Sequence, residues 1–431
     1  MSKTDERSKN DKAWEKLFDK FDILQNISHK GFFEITSTEI NQFREARLMT
    51  KFDHRVNLPK LFADNHLAIL PVTRGSYIIA PVEAYKDFEV RDNRIHKASF
   101  PAHIDSLNHE NINSEAMAIH CAYASGVLAD FLQDEGLLPT VSGRMSSGTF
   151  HFNIRNSLTK AFIPIQVENS QIEIDGGYEG YESLCLIEAK NYLSDDFLVR
   201  QLYYPFRLWT GNTGKKVKPI FLVFSNGIFS FYEYVFEDHH NYNSLVLIRH
   251  RNYSIDDVSI SLDDILNVLN RVKHMEEPPV PFPQADSFDR VINLCELLAQ
   301  NDMTRDQITM EYAFNARQTN YYSDAGRYLG LIDKKHEAES PVFTLTDEGR
   351  KILHLKYRPR QLMFVELILK HTVFRDILKK VLQHDGKIPP KGEIVYNMKQ
   401  CDLFNVNADS TYERRASTVA SWMKWILDLQ R

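Results

Sequence analysis

A chain of 431 residues, 43% hydrophobic and 26% charged, has the make-up of a globular protein with two or three domains. No apolar run approaches the roughly 20 residues needed to span a bilayer, and the charged start MSKTDERSKNDKAWEK lacks a signal-peptide core, so a cytoplasmic protein with no membrane partner is expected. Four scattered cysteines without a CxxC pair argue against a disulfide framework and a structural zinc. The net charge of −6 does not advertise nucleic-acid binding, and 22 Lys/Arg against 20 Asp/Glu from residue 281 onward leave any such contact to local patches.

Residues 1–12 are polar and aperiodic and read as disordered. A helix is predicted over 13–25, with Trp14, Leu17, Phe18, Phe21 and Leu24 on one face. A short strand at 31–35, a helix over 40–47 opened by Thr36-Ser37-Thr38-Glu39, and paired strands at 67–71 and 76–81 make a compact α+β unit. Arg44, Arg47, Lys51, His54, Arg55, Lys60 and Arg74 tint it basic, either for DNA or as a solvated face.

A helix over 111–132 follows, with Asn113 or Ser114 as N-cap and Glu115 in its first turn. The stretch 142–150, SGRMSSGTF, reads as a loop in which Arg144 and backbone N–H groups suit phosphate contact, or as a plain connection. Strands are expected at 149–154 and 161–167. Then comes 171–190, QIEIDGGYEGYESLCLIEAK, read as strand, Gly176-Gly177 turn, strand. The run 183–189 is apolar enough to be buried on both faces of a sheet. Alternation places Glu188 and Lys190 on one face, and the hairpin brings Asp175 alongside. Two carboxylates beside an ammonium can hold a hard divalent cation and activate water against a phosphodiester. The alternative is a surface hairpin in which Lys190 merely pairs with Glu188 or Asp175. A helix over 195–209 and strands at 217–225, 228–236 and 244–250 complete this region.

Asp175, a spacer and Glu188-Ala189-Lys190 at strand ends resemble the PD-(D/E)xK nuclease superfamily, with Ile174 where that motif has proline. The order helix–β–β–β–helix–β is also that superfamily's core. The resemblance implies that Asp175 and Glu188, helped by the carbonyl of Ala189, hold Mg2+, and that Lys190 orients and deprotonates the attacking water. Glu115 matches the position of an extra metal ligand, or only stabilises a helix start. Glu173 shares a face with Asp175 and could act as an outer ligand, with Glu168 nearby. Gln201, in RQLYYPFR, matches a glutamine that lines the site in some branches; Pro205 stands where those branches carry tyrosine, so that part of the pattern is broken.

The proline-rich 276–284 (EEPPVPFPQ) is the best linker. Helices over 288–300, 304–312 and 316–331, then strands at 332–335 and 342–345 with a polar tip between them, resemble a winged helix. Its third helix would offer Arg317, Gln318, Asn320, Tyr321 and Arg327 to DNA; such modules also bind only protein. Beyond it, an amphipathic helix over 361–382, a short one over 393–401 and a final one from 409 resemble a second helix-turn-helix unit. Arg414 and Arg415 would lie on its exposed start, with Trp422 and Trp425 inside.

The expected architecture is an α/β (α+β) restriction-endonuclease-like core with a mixed sheet over 106–275. An N-terminal α+β unit (1–105), a winged helix (285–358) and a C-terminal helical unit (359–431) flank it. The resemblance implies a Mg2+-dependent type II restriction enzyme that cuts double-stranded DNA to 5′-phosphate and 3′-hydroxyl ends. It would act as a homodimer, with a DNA methyltransferase as its genetic partner. A nuclease of repair, transposition or another defence system, or a non-enzymatic DNA-binding regulator, are the other readings.

Overall fold

The computed structural model describes residues 8–336 and 341–430, without the side chain of His336. Two compact units result. The first runs up to His96 and takes in Ser114–Phe224 and Phe229–Tyr253; the second holds Lys97–Asn113, Ser225–Ile228 and the chain from Ser254. No helix of the described residues is long and apolar enough to cross a membrane.

The first unit opens with α1 (Lys9–Lys20), α2 (Ile23–Lys30), β1 (Phe33–Thr36), α3 (Ser37–Ile40), α4 (Ala46–Thr50), α5 (Lys60–Asp64), β2 (Ala68–Pro71) and β3 (Ser76–Ala80). A capping box between Ser8 and Asp11 starts α1, so residues 9–12, expected to be disordered, form its first turn; 1–7 lie outside the described residues. The apolar period over 13–25 is split between α1 and α2, because Asp22 takes a left-handed conformation between them. In the small antiparallel sheet β1-β3-β2, strands β2 and β3 are apolar on both faces. Leu67, Ile69 and Ile79 pack with Trp14, Leu17 and Phe62, whereas Ala68, Leu70, Ile78 and Ala80 pack with Ile172, Leu184 and Phe221. Period-two alternation thus assigns one short sheet to two cores.

Next come β4 (Tyr85–Asp87), β5 (Ile95–Lys97), α6 (Glu115–Ala124), α7 (Val127–Leu132), β6 (Leu138–Ser146), β7 (Thr149–Arg155), β8 (Phe162–Glu168), β9 (Gln171–Glu179), β10 (Ser183–Lys190), β11 (Asp196–Leu198), α8 (Arg200–Asn212), β12 (Lys216–Ser225), β13 (Ile228–Phe236) and β14 (Leu245–Ser254). Seven of these strands form one mixed sheet in the order β5-β14-β13-β12-β10-β9-β6. β10 and β12 run parallel, and α8 makes the crossover that parallel neighbours need; β6–β9, β9–β10 and β13–β14 are antiparallel.

Several expectations are corrected here. Gly176 and Gly177 are not a turn but lie inside β9, paired with Ile187 and Leu186. The turn is Tyr181-Glu182, closed by the Gly180 N–H donating to the Ser183 carbonyl at 2.9 Å. Gly177 serves close approach: an added Cβ would lie 2.7 Å from Val141 Cβ and 2.8 Å from its carbonyl oxygen. Gly177→Ala is therefore expected to destabilise the chain by about 1–3 kcal/mol, read by chemical denaturation; an unchanged midpoint would reject the steric argument.

The stretch 142–146 is strand β6 of the main sheet, not a loop, and the left-handed Gly143 (φ +92°) accommodates its irregular register against β9. β7 and β8 form a two-stranded sheet of their own, apart from the central one, with Asn153 of β7 also bridged to Asn241. The helix over 111–132 breaks at Ser125-Gly126, where Gly126 has φ +75°. The helix expected from 195 starts at Arg200, because Asp196–Leu198 pairs with β4 instead.

The second unit contains α9 (Leu262–Arg271), α10 (Phe288–Gln300), β15 (Met303–Thr304), α11 (Arg305–Glu311), α12 (Ala316–Tyr328), β16 (Ile332–His336), β17 (Pro341–Leu345), α13 (Asp347–Leu353), α14 (Tyr357–Leu369), α15 (Thr372–Gln383), α16 (Lys391–Lys399) and α17 (Asp409–Asp428). Thr304 and Thr346 cap α11 and α13 as their sequences indicate. The polar tip between β16 and β17 falls in 337–340, outside the described residues. The single helix expected over 361–382 is two, α14 and α15. The segment 276–284 has no helix or strand, yet it is no free linker. Phe282 is buried and stacked on Phe374, and Glu277 accepts the Tyr328 hydroxyl proton at 2.5 Å.

Candidate active site

Every position of β10 is buried, as its apolar run requires, and the strand carries Glu188 and Lys190 into the interior with it. The surface-hairpin alternative is thus half right: Lys190 does pair with Glu188, at 2.6 Å, but both side chains are about nine-tenths covered. Lys190 Nζ also lies 3.2 Å from the Ala189 carbonyl oxygen and 3.8 Å from Glu115 Oε1. One ammonium thereby collects three oxygens expected to serve a metal ion.

Asp175 enters from β9, one residue beyond the Gly176–Ile187 pair, and its Oδ2 accepts the Ala189 N–H at 2.8 Å. Gln201, in the first turn of α8, donates from Nε2 to Glu188 Oε1 at 2.6 Å, while its own Oε1 is buried without a partner. Glu115 follows the N-cap Ser114 of α6. With its amide oriented to suit its surroundings, Asn191 accepts from the N–H groups of both Ser114 and Glu115, at 3.1 Å each. The residue after Lys190 therefore ties the start of α6 to the end of β10.

Burial raises the Glu188 carboxyl to about 8; Lys190 opposes the rise, and Asp175 and Asp53 add to it. Burial likewise raises Asp175, against the pull of Lys190 and the Ala189 N–H, and raises Glu115. For Lys190, burial acts downward, but Glu188, Tyr192, Glu115 and Asp53 together hold the ammonium well above its ordinary value. The site is a partly covered cluster of acids around one buried cation.

Sequence reasoning missed one contributor. The turn through Lys51–Asp53 contributes charge: Asp53 bears electrostatically on Glu115, Glu188 and Lys190, and Lys51 on Glu115 and Asp175. Lys51 was legible only as part of a basic tint, and nothing in sequence spacing links residue 53 to residue 188. Most of that tint is neutralised locally, by Glu45 for Arg47, Asp87 and Asp196 for Arg55, and Asp64 for Lys60, while His54 is buried.

A cleft lined by Glu173, Ile174, Glu188, Gln201 and Pro205 adjoins the cluster. Glu173 pairs with exposed Arg144 at 3.2 Å, which puts that guanidinium beside the cleft from a strand rather than a loop. Glu168 lies on β8 and accepts from Gln166 at 2.6 Å. Among the described residues, no three His, Cys, Asp or Glu side chains form a ready-made metal cage. The donor chemistry nevertheless suits a hard cation: carboxylates, a backbone carbonyl and an unpartnered amide oxygen, with no sulfur or imidazole.

In the second unit, Arg317 and Asn320 of α12 are exposed, and the Arg317 Nε donates to the Tyr321 hydroxyl at 2.7 Å. Gln318 Oε1 is engaged at the helix start, accepting the Asn315 N–H at 3.1 Å, and Arg327 pairs with Asp324 at 2.8 Å. Arg414 is exposed, but Arg415, expected beside it at the surface, is half-buried near Asp324 and Tyr321. Trp422 and Trp425 are buried as expected.

Three family models match the chain. Each is a domain of unknown function: DUF6996 over residues 11–79, DUF6997 over 80–254 and DUF7226 over 290–431. No curated protein and no solved structure matches. Glu115, Asp175, Glu188, Lys190 and Gln201 all fall within the second span, whereas Lys51 and Asp53 fall within the first.

Proposed function

We propose that this chain is a Mg2+-dependent DNA endonuclease of the PD-(D/E)xK type. The observation that carries the reading is the convergence of Glu188, the Ala189 carbonyl and Glu115 on the Lys190 ammonium, with Asp175 bonded to the same strand end. Element order supports it: α6, β6, β9, β10, α8 and β12 come in the sequence helix–β–β–β–helix–β, with α7, the β7–β8 hairpin and β11 inserted. β6-β9-β10-β12 are sheet neighbours whose last pair is parallel. In the second unit, α10, β15, α11, α12, β16 and β17 with sheet order β15-β17-β16 support a winged helix, which would present α12 to a major groove.

In this mechanism Asp175, Glu188 and the Ala189 carbonyl would hold Mg2+, with Glu115 beside them. An ion held there would supply a lowered pKa to a bound water and positive charge against the reacting phosphate. Lys190, once Glu188 turns to the ion, would be placed to orient the water by donating to it and, as an ammonium, to stabilise the hydroxide left when the water's proton passes to solvent. Gln201 Oε1, a buried acceptor without a partner, is available to a water proton at the same place. Site-specific cutting of both strands, as in type II restriction, would pair two such sites in a homodimer, with a methyltransferase protecting the host.

Plasmid of known sequence incubated with the full chain should yield discrete fragments with 5′-phosphates in Mg2+, and none with EDTA. A smear would favour a repair or defence nuclease over restriction. Intact plasmid bound by protein in both conditions would replace the nuclease with a DNA-binding regulator.

A further inference from the structure

We propose that Asn191, the residue directly after Lys190, is a positioning residue for the reaction: its side-chain oxygen grips the start of α6 and so sets Glu115 against the Lys190 ammonium. The proposal rests on the nuclease reading above and adds to it a residue outside the motif.

Distances carry the argument. Glu115 Oε1 lies 3.8 Å from Lys190 Nζ, too long for a hydrogen bond, and the Glu115 side chain is 37% exposed where that of Lys190 is 9% exposed. An ion pair of that length on a partly solvated carboxylate fixes it poorly. The backbone of Glu115 is held instead, because the N–H groups of Ser114 and Glu115 both donate to the Asn191 oxygen at 3.1 Å. The Ser114 hydroxyl is committed elsewhere, accepting the Met117 N–H at 3.2 Å, so the cap and the grip serve different donors.

The first N–H groups of a helix have no partner within it, and at an open start water satisfies them. Ser114 is exposed, so solvation of this helix start needs no side chain from the end of β10. Taking the partner from residue 191 does something water cannot: it ties the height of Glu115 to that of Lys190. The gripping residue is itself fixed on both sides. Lys190 before it is buried in β10, and the Tyr192 hydroxyl after it lies 3.1 Å from His54 Nε2. His54 is 1% exposed, and its Nδ1 lies 2.5 Å from the Asp196 carbonyl oxygen. A carbonyl can only accept, so Nδ1 carries the proton and Nε2 accepts from Tyr192.

The test is a double-mutant cycle on the full chain, read by calorimetric titration with Mn2+ without DNA, alongside Mg2+-dependent cleavage of plasmid. Asn191→Ala and Glu115→Gln are each expected to weaken Mn2+ binding by about tenfold. The double variant should bind within about twofold of Glu115→Gln alone, since a residue that acts through another adds nothing once that other is gone. Asn191→Asp, whose carboxylate accepts the same two N–H groups, should restore most of the affinity. A folded Asn191→Ala or Glu115→Gln protein with wild-type affinity, losses that multiply in the double variant, or an aspartate variant as weak as the alanine one overturns the proposal and leaves the nuclease reading intact. A wild-type chain that cuts no DNA, yet shows the expected cycle, overturns the nuclease reading and leaves the grip of Asn191 on Glu115 standing. A wild-type chain that binds no Mn2+ overturns both.

Discussion

Lys190→Met is expected to reduce Mg2+-dependent DNA cleavage by roughly 10²–10³-fold, the cost of losing one aimed cationic group in a largely buried site, while DNA binding survives. Methionine keeps the length and the apolar stem that β10 buries. Removing one member of a buried ion pair ordinarily costs about 3–5 kcal/mol because the other is left as a bare charge. Here the loss should be smaller. Burial already raises the Glu188 carboxyl, and without the opposing pull of Lys190 it can take up a proton near neutral pH instead of standing as a bare charge. Gln201, already bonded to Glu188 Oε1, remains as a neutral partner. Cleavage rates and a gel-shift assay on the same preparation decide the matter; a variant that cuts like the wild type removes Lys190 from the mechanism.

Trp422→Ala should be the most destabilising single change in the second unit. The ring is fully buried, packed edge-on to Phe288 at 4.9 Å and stacked on Phe374 at 5.0 Å, and its Nε1 donates to the Ala285 carbonyl at 2.7 Å. Truncation costs about 3–5 kcal/mol for the cavity, before the stranded carbonyl is counted. Against total stabilities of about 5–15 kcal/mol, that is enough to unfold a marginal unit. Trp422→Phe keeps most of the ring contact and loses only the hydrogen bond, so it should cost about 1–3 kcal/mol. Denaturant titration monitored by circular dichroism reads both; a loss below about 1 kcal/mol in the alanine variant would mean the neighbours close over the space.

What the sequence made legible were features set by neighbours in the chain. The unbroken apolar run of β10 announced burial on both faces, and Glu188-x-Lys190 followed from alternation alone. Ser114 marked the start of α6, because a cap acts on N–H groups only two or three residues away. What stayed hidden depends on partners far along the chain. Gly176-Gly177 carries the same letters whether it turns a hairpin or admits Val141, and the choice is made by residues more than thirty positions earlier. β6 is exposed along most of its length, so it shows no alternation from which a strand could be read. Asp53 gives no local signal, since its placement depends on His54 finding Tyr192 and Asp196.

The border between the first two matched spans, at residues 79 and 80, falls inside β3. Ile79 faces the aromatic cluster of α1 and α5, and its neighbour Ala80 faces the central sheet. Cutting there would divide a single hydrogen-bonded ribbon and strip both cores of their shared wall. A fragment starting at residue 80 should aggregate rather than fold, and a lineage inheriting one span without the other would need a substitute lining for the gap. Shuffling of these two segments as independent cassettes is thereby barred by packing, whatever their separate descriptions suggest.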